Sequence, residues 1–296
     1  MLVADDGDDD QAEVACKAWT DHPNFTYLKS PAKKLWHNWR WVAQQAVERG
    51  AEYFLWLQDD DIIRHHLVRR VLRSFDRNPG CVVYCSNLRM GYDNLLGQLW
   101  RGNWGPKLPV DICYDQPDSF SGKLLVPVGY FDSWAMSPAK AFRVTPAFVS
   151  MLDALPDDCD MFTERLDIAH MGLTGDAICD PCPAGSWIIH GRNESQLTTA
   201  TCDAQVRSAF GYLDTLMDRL PTWRNELGEW IGSLGTPHLI RDLWAGLIDH
   251  RAKSTYAAQI LDLFEDVMNG SGINVEKERA KIEAEKALAE AERRAA

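Results

Sequence analysis

The sequence predicts an α/β fold, a mostly parallel sheet flanked by helices with an α-helical C-terminal region. Three observations predict it. Glu52 to Leu57 is an almost wholly apolar, aromatic-rich run, the pattern of a strand buried on both faces. Up to Cys85, apolar runs of strand length alternate with amphipathic helical runs, as right-handed βαβ units require. From Asp203 onward the apolar residues recur at helical spacing instead.

Taken in order, Leu2-Val-Ala followed by Asp5-Asp-Gly-Asp-Asp-Asp10 reads as a strand end running into an acidic loop. Gln11 to Trp19 suits a short helix and Phe25 to Leu28 a short strand. Between Leu35 and Val47, the residues Leu35, Trp36, Trp39, Val42, Ala43, Ala46 and Val47 trace one helical face, and Gly50 supplies the stop. The aromatic strand follows. A second helix places Leu67, Val68, Val71, Leu72 and Phe75 on one side, and Asn78-Pro-Gly80 ends it. Cys81 to Cys85 reads as another buried strand.

Residues 87 to 130 are rich in Gly, Asp, Pro and Trp and read as long loops, where binding groups gather on an α/β scaffold. Phe131 to Met136 is expected as a strand. Thr145 to Leu155 is expected as a helix with Pro146 in its first turn. Thr163 to His170 is expected to be helical, and Ser186 to His190 closes a Pro/Gly-punctuated stretch. Farther on, Val206, Phe210, Leu213, Met217 and Leu220 form one helical stripe. Further stripes run over Trp230, Ile231 and Leu234, then over Ile240, Leu243, Trp244 and Leu247.

The expected organisation is a domain over 1–202, a helical region over 203–268, a flexible joint at 269–274 and a charged helix over 275–296. That last segment is Ala, Glu, Lys and Arg with few large apolar side chains. Its i,i+4 pairs stabilise it by on the order of a few tenths of a kcal/mol each. Val275, Ile282 and Ala289 recur every seven residues, but charged companions leave little support for a coiled coil.

The 296 residues are 46% apolar and 25% charged, with a formal charge of -12. That balance argues against a nucleic-acid backbone or an anionic membrane as the main partner. No run reaches the roughly 18 apolar residues of a membrane-spanning helix, and the N-terminus lacks a secretory signal pattern. A cytoplasmic protein is the expectation. The eight cysteines are then expected as free thiols. Cys179-Asp-Pro-Cys182 has metal-like spacing, but a zinc site would need two more ligands such as Cys159 and Cys202, at spacings that match no common pattern.

The aromatic strand runs directly into Gln58, Asp59, Asp60 and Asp61. Adjacent carboxylates repel one another at a core strand end. A hard divalent cation, Mn²⁺ or Mg²⁺, would make the arrangement favourable, and ligands gather at the carboxyl ends of such strands. A solvated acidic turn leading into the next helix is the alternative.

Several stretches, in this order, resemble family 2 glycosyltransferases of the GT-A fold. Val3-Ala-Asp-Asp-Gly7 is similar to the family's early Asp-Asp-Gly loop, and His37-Asn38-Trp39 to its Asn-containing helix. Leu57-Gln58-Asp59-Asp60-Asp61 is similar to its metal strand with the DXD motif. Thr163-Glu164-Arg165-Leu166-Asp167 looks like its later acidic motif, and His190 its downstream histidine. The resemblance spans roughly residues 2 to 195.

The resemblance implies metal-dependent, inverting transfer of a sugar from a nucleotide-sugar donor, a UDP-sugar first, to an unknown hydroxyl acceptor. It places Asp5, Asp6, Asn38 and Asp59 toward the nucleotide, and Asp60, Asp61 and His190 toward the metal. Glu164 or Asp167 is then the base, Glu164 being the first choice. Trp100, Trp104 and Trp134 are candidates to stack on a sugar ring, and the C-terminal helices to cover the acceptor side or to mediate association.

Three departures from the family pattern stand beside this. The strand-and-helix unit that usually precedes the Asp-Asp-Gly strand is absent, Gln58 stands for the first Asp of the metal pair, and Arg165 stands for the usual base. These favour the alternative of a non-catalytic GT-A-like binding domain or an N-terminally truncated, inactive transferase. A nucleotidyltransferase would also use an Asp-rich metal site, but no Gly-rich phosphate loop is visible.

Overall fold

The computed structural model describes residues 1–58, 61–93, 99–104, 118–128, 140–159, 163–189, 199–233, 255–270 and 272–295. The chain is mixed α/β. Among the described residues, nine strands fall in two sheets. β1 (Leu2–Asp5) and β2 (Thr26–Lys29) pair in parallel as a two-stranded sheet. The larger sheet runs β3 (Tyr53–Leu55), β8 (Lys140–Arg143), β5 (Cys81–Asp93), β9 (Asp176–Ile189), β4 (Ile62–Ile63), with β6 (Leu99–Trp104) on β5 and β7 (Asp118–Phe120) on β9.

The expected mostly parallel sheet is corrected by this topology. In the larger sheet only β5 and β9 pair in parallel, while β3–β8, β5–β8, β5–β6, β7–β9 and β4–β9 are antiparallel. The reason is β8, which inserts antiparallel between β3 and β5. Lys140 to Arg143 thus supplies a strand that the sequence pattern did not show. The Phe131 to Met136 stretch lies outside the described residues.

Side-chain alternation along these strands builds two cores. Phe54, Val83, Cys85, Phe142, Ala177 and Cys179 face one way. Tyr84, Ala141, Ile178 and Ala184 face the other, with Tyr53 and Leu55 packed against them. The first face is covered by α2 (Leu35–Glu48), α5 (Pro146–Ala154), α6 (Thr163–Gly172) and α7 (Thr199–Met217). The second is covered by α3 (Leu67–Arg77) through Leu67, Val71 and Phe75.

The helices follow from their sequences. In α2, Trp36, Trp39, Val42 and Ala43 are buried as the periodicity requires, and Gly50 adopts φ 72° just beyond the helix end. Aromatic contacts run from Trp36 to Trp39 (4.8 Å between ring centres), to Phe54 (5.6 Å) and on to Phe148 (5.6 Å). Such pairs contribute about 0.5–1.5 kcal/mol each beyond area burial. In α5, Thr145 caps the helix by accepting from the Phe148 N–H at 3.2 Å, with Pro146 at the first position.

Every member of the predicted α7 stripe is buried: Val206, Phe210, Leu213, Met217 and, just past the helix, Leu220. Trp230 to Ser233 fall in α8 (Trp223–Ser233), whereas the Leu234 to Leu247 stripe lies outside the described residues. Within the expected 269–274 joint, Asn269 and Gly270 close the preceding helix, Ile273 N–H donates to the Met268 carbonyl at 3.0 Å, and Gly272 takes φ 77°. The joint connects α9 (Thr255–Gly270) to α10 (Val275–Ala295). The charged helix expected over 275–296 is packed against the body at its start. Val275 and Ile282 are buried in the main core, and Arg279 pairs with Glu265. Beyond them Leu288 is 62% exposed.

Candidate functional site

The acidic loop and the acidic helix meet. Gln58 follows β3, Glu164 opens α6, and Gln58 Nε2 donates to Glu164 Oε1 at 2.9 Å. Sequence reasoning singled out both stretches but not this contact, which joins residues 106 positions apart. Beside it lies a shallow, mostly apolar depression lined by Leu35, Trp36, Trp39, Trp56, Thr163 and Glu164. The same aromatic packing that anchors α2 to β3 therefore builds the surface beside a carboxylate.

Asp61 closes the acidic loop. Its N–H donates to the Gln58 carbonyl at 3.3 Å, and the residue is 8% exposed despite its charge. β4 follows at once and pairs with β9, Ile62 opposite Ser186 and Ile63 opposite Gly185. A buried carboxylate fixed on both sides is a suitable hard oxygen donor for Mn²⁺ or Mg²⁺. Asp59, Asp60 and His190 lie outside the described residues. Among the described residues, no three His, Cys, Asp or Glu side chains gather closely enough to hold a metal ion.

On α2, Asn38 is 7% exposed and its Oδ1 has no hydrogen-bond partner among the described residues, and the buried Trp39 Nε1 has none either. Orphaned polar atoms of this kind cost about 1–3 kcal/mol, and a bound polar ligand would offset that. Asn38 is not a helix cap. It sits in the helix and its N–H donates to the Lys34 carbonyl.

Asp5 is already occupied by the protein. It accepts from Tyr27 Oη at 2.6 Å, Lys29 Nζ at 2.7 Å and the Gly7 N–H at 2.9 Å. The Lys29 ammonium, and next the Tyr27 hydroxyl, hold its carboxyl down at about 2. Asp6 lends its carbonyl to Lys33 Nζ at 2.8 Å. Lys29 and Lys33 thus fold the acidic loop back on β2 and its exit.

Asp167 must be set aside as a base. It is fully buried and pairs with Lys140 Nζ at 2.6 Å, and Lys140 is equally buried. Lys140 also donates to the Glu164 carbonyl at 2.5 Å. Burial pushes the Asp167 carboxyl up to about 7 against the opposing pull of Lys140. No acceptor hydroxyl reaches a group sealed in this way, so Glu164, which is part-exposed, is the accessible carboxylate of the helix. Lys140 gave no sequence signal, because its partner lies 27 residues away.

Of the sequence-predicted residues, then, the structure brings together Glu164 and the Gln58 end of the acidic loop. It buries Asp61 at the loop's other end, and it does not add Asp167. Trp100 and Trp104 fall on β6, and Trp134 lies outside the described residues. The zinc reading gains no support, since Cys159 and Cys179 are buried in the main core. No protein-family model matches the chain, and no curated protein matches it either.

Proposed function

We propose that the chain is a metal-dependent glycosyltransferase of GT-A type that moves a sugar from a nucleotide-sugar donor, a UDP-sugar first, to a hydroxyl acceptor. The observation that carries this reading is the Gln58–Glu164 hydrogen bond, which sets an accessible carboxylate against the acidic strand end and beside an aromatic depression. Asp61, with Asp60 and His190 as the further ligands the family resemblance implies, would hold a divalent ion, which would supply charge neutralisation for a leaving diphosphate. Glu164 accepts the proton of the acceptor hydroxyl. Gln58 holds that carboxylate in place through Oε1. Trp56, which is part-exposed and backed by the buried Trp39, offers an apolar surface to a sugar ring. Asn38 and Asp6 provide polar contacts for the nucleotide.

One observation favours a binding-only reading. The second carboxylate of the acidic helix is neutralised by Lys140, so a single base candidate remains. Thermal melts with UDP, GDP and dTDP, each with and without Mn²⁺, test the donor site in both readings. Saturation at 100 times the dissociation constant stabilises by about 2.7 kcal/mol. A shift that needs nucleotide and metal together, and is lost in Asp60→Ala/Asp61→Ala, is the expected result. Absence of a shift with every pair overturns the donor site. A shift without any release of nucleotide from a donor sugar selects the binding-only reading.

A further inference from the structure

The face of the sheet opposite the depression carries a second constellation. At Cys179-Asp-Pro-Cys182 the β5–β9 ladder is irregular, with β5 advancing from Ser86 to Leu88 while β9 advances from Asp180 to Gly185. Asp180 fixes the excursion. It is fully buried, accepts from the Cys182 N–H at 2.9 Å, and is held by Arg70 through two bonds of 2.7 and 2.6 Å and by Tyr84 Oη at 2.5 Å. The excursion brings Cys182 Sγ within 3.5 Å of Nε2 of His66, the residue that precedes α3. Both residues are part-exposed, whereas Cys81, Cys85, Cys159 and Cys179 are buried.

Burial, then the charges of His65, Arg64 and Arg70, pushes the His66 imidazolium down. The ring is therefore neutral near pH 7. In its Nδ1–H tautomer, Nε2 offers a lone pair to the thiol proton. A second, independent feature is the surrounding charge. Arg64 acts electrostatically on His66, and α3 exposes Arg69 and Arg73, in a chain of formal charge -12. Among the described residues the carboxylate acting on His66 is Asp180, and its charge and that of Arg70 offset each other. This local field selects an anionic ligand.

We propose that Cys182 and His66 form a nucleophilic thiol site that takes small anionic disulfides, the class of oxidised glutathione, by thiol–disulfide exchange. His66 Nε2 accepts the thiol proton as Sγ attacks one sulfur of the disulfide. The disulfide bond breaks, a mixed disulfide forms on Cys182, and the departing thiolate takes the proton from His66. One disulfide is consumed and one formed, so no outside oxidant is needed.

The test uses the full chain and oxidised glutathione near neutral pH, with modified cysteines mapped and timed by mass spectrometry. Cys182 is expected to react at least about tenfold faster than the other part-exposed described thiol, Cys16. Neutral 2-hydroxyethyl disulfide should lose much of that preference. His66→Gln should slow Cys182 by about tenfold with either reagent. Arg64→Gln/Arg69→Gln should slow only the reaction with glutathione disulfide. Equal rates for Cys182 and Cys16 in the unaltered chain overturn the proposal without recourse to any variant. So does a folded His66→Gln protein whose Cys182 reacts unchanged. An unchanged ratio between anionic and neutral reagents in the arginine variant overturns the anion preference.

Discussion

Lys140 Nζ and Asp167 Oδ2 lie 2.6 Å apart with neither side chain exposed to solvent. Removing one partner leaves the other charge stranded in the core. Lys140→Met should therefore destabilise the chain by about 3–5 kcal/mol, whereas Lys140→Met/Asp167→Leu should recover much of the loss. Denaturant unfolding of the three proteins checks this. A double variant no more stable than Lys140→Met would mean that the pair holds α6 in register by geometry rather than by charge balance.

Catalysis should separate Glu164 from Gln58. Glu164→Gln removes the proton acceptor and should lower donor turnover by roughly 10²–10⁴-fold, with the nucleotide- and metal-dependent thermal shift retained. Gln58→Ala frees the same carboxylate to wander and should cost less, on the order of tenfold. Release of nucleoside diphosphate from the donor is the readout. Unchanged turnover in Glu164→Gln removes it as the base.

Asp5 sets an acid limit on the two-stranded sheet. Its carboxyl is held down at about 2, from an ordinary 3.8. Because the folded value is the lower one, its contribution is present above the ordinary value and is lost as pH falls from about 4 toward 2. Asp5→Asn should lower the melting temperature at neutral pH and flatten its fall across that window. Parallel melting curves for both proteins between pH 4 and 2 would show that Lys29 and Tyr27 do not stabilise this loop.

Gly185 faces the Ile62 carbonyl so closely that a Cβ there would collide with backbone rather than a yielding side chain. Gly185→Ala should displace β4 and cost about 1–3 kcal/mol. Asp61 immediately precedes Ile62, so the Mn²⁺-dependent part of the nucleotide shift should shrink as well. A destabilised variant with the full metal-dependent shift would detach Asp61 from the metal role.

The parts legible in the sequence were those where one local pattern has one outcome. The Trp36, Trp39, Val42 and Ala43 face, the Cys81 to Cys85 strand and the Val206 to Leu220 stripe all bury as their periodicity requires. The parts not legible depend on distant partners. Lys140-Ala-Phe-Arg143 contains two cations and follows Pro138, so nothing local marks a core strand. It is one because Asp167 receives the lysine while Arg143 bonds the Phe75 and Cys81 carbonyls. The prolines at 181 and 183 read as loop, yet β9 continues past them to Ile189. At the candidate site, chain order showed two acidic stretches, but the Gln58–Glu164 contact and the closure of Asp167 needed the fold.

The last helix divides its own sequence by function. Val275 and Ile282 belong to the core, while Glu283, Ala284, Ala287 and Leu288 are exposed. The boundary between indispensable and dispensable chain therefore falls inside one helix, about a turn after Ile282, rather than at the glycine-containing turn before it. Deletion from Glu285 onward trims a projecting rod of roughly 15 Å and leaves the body intact. Deletion ten residues earlier uncovers apolar surface on α9 and should send the protein into aggregates.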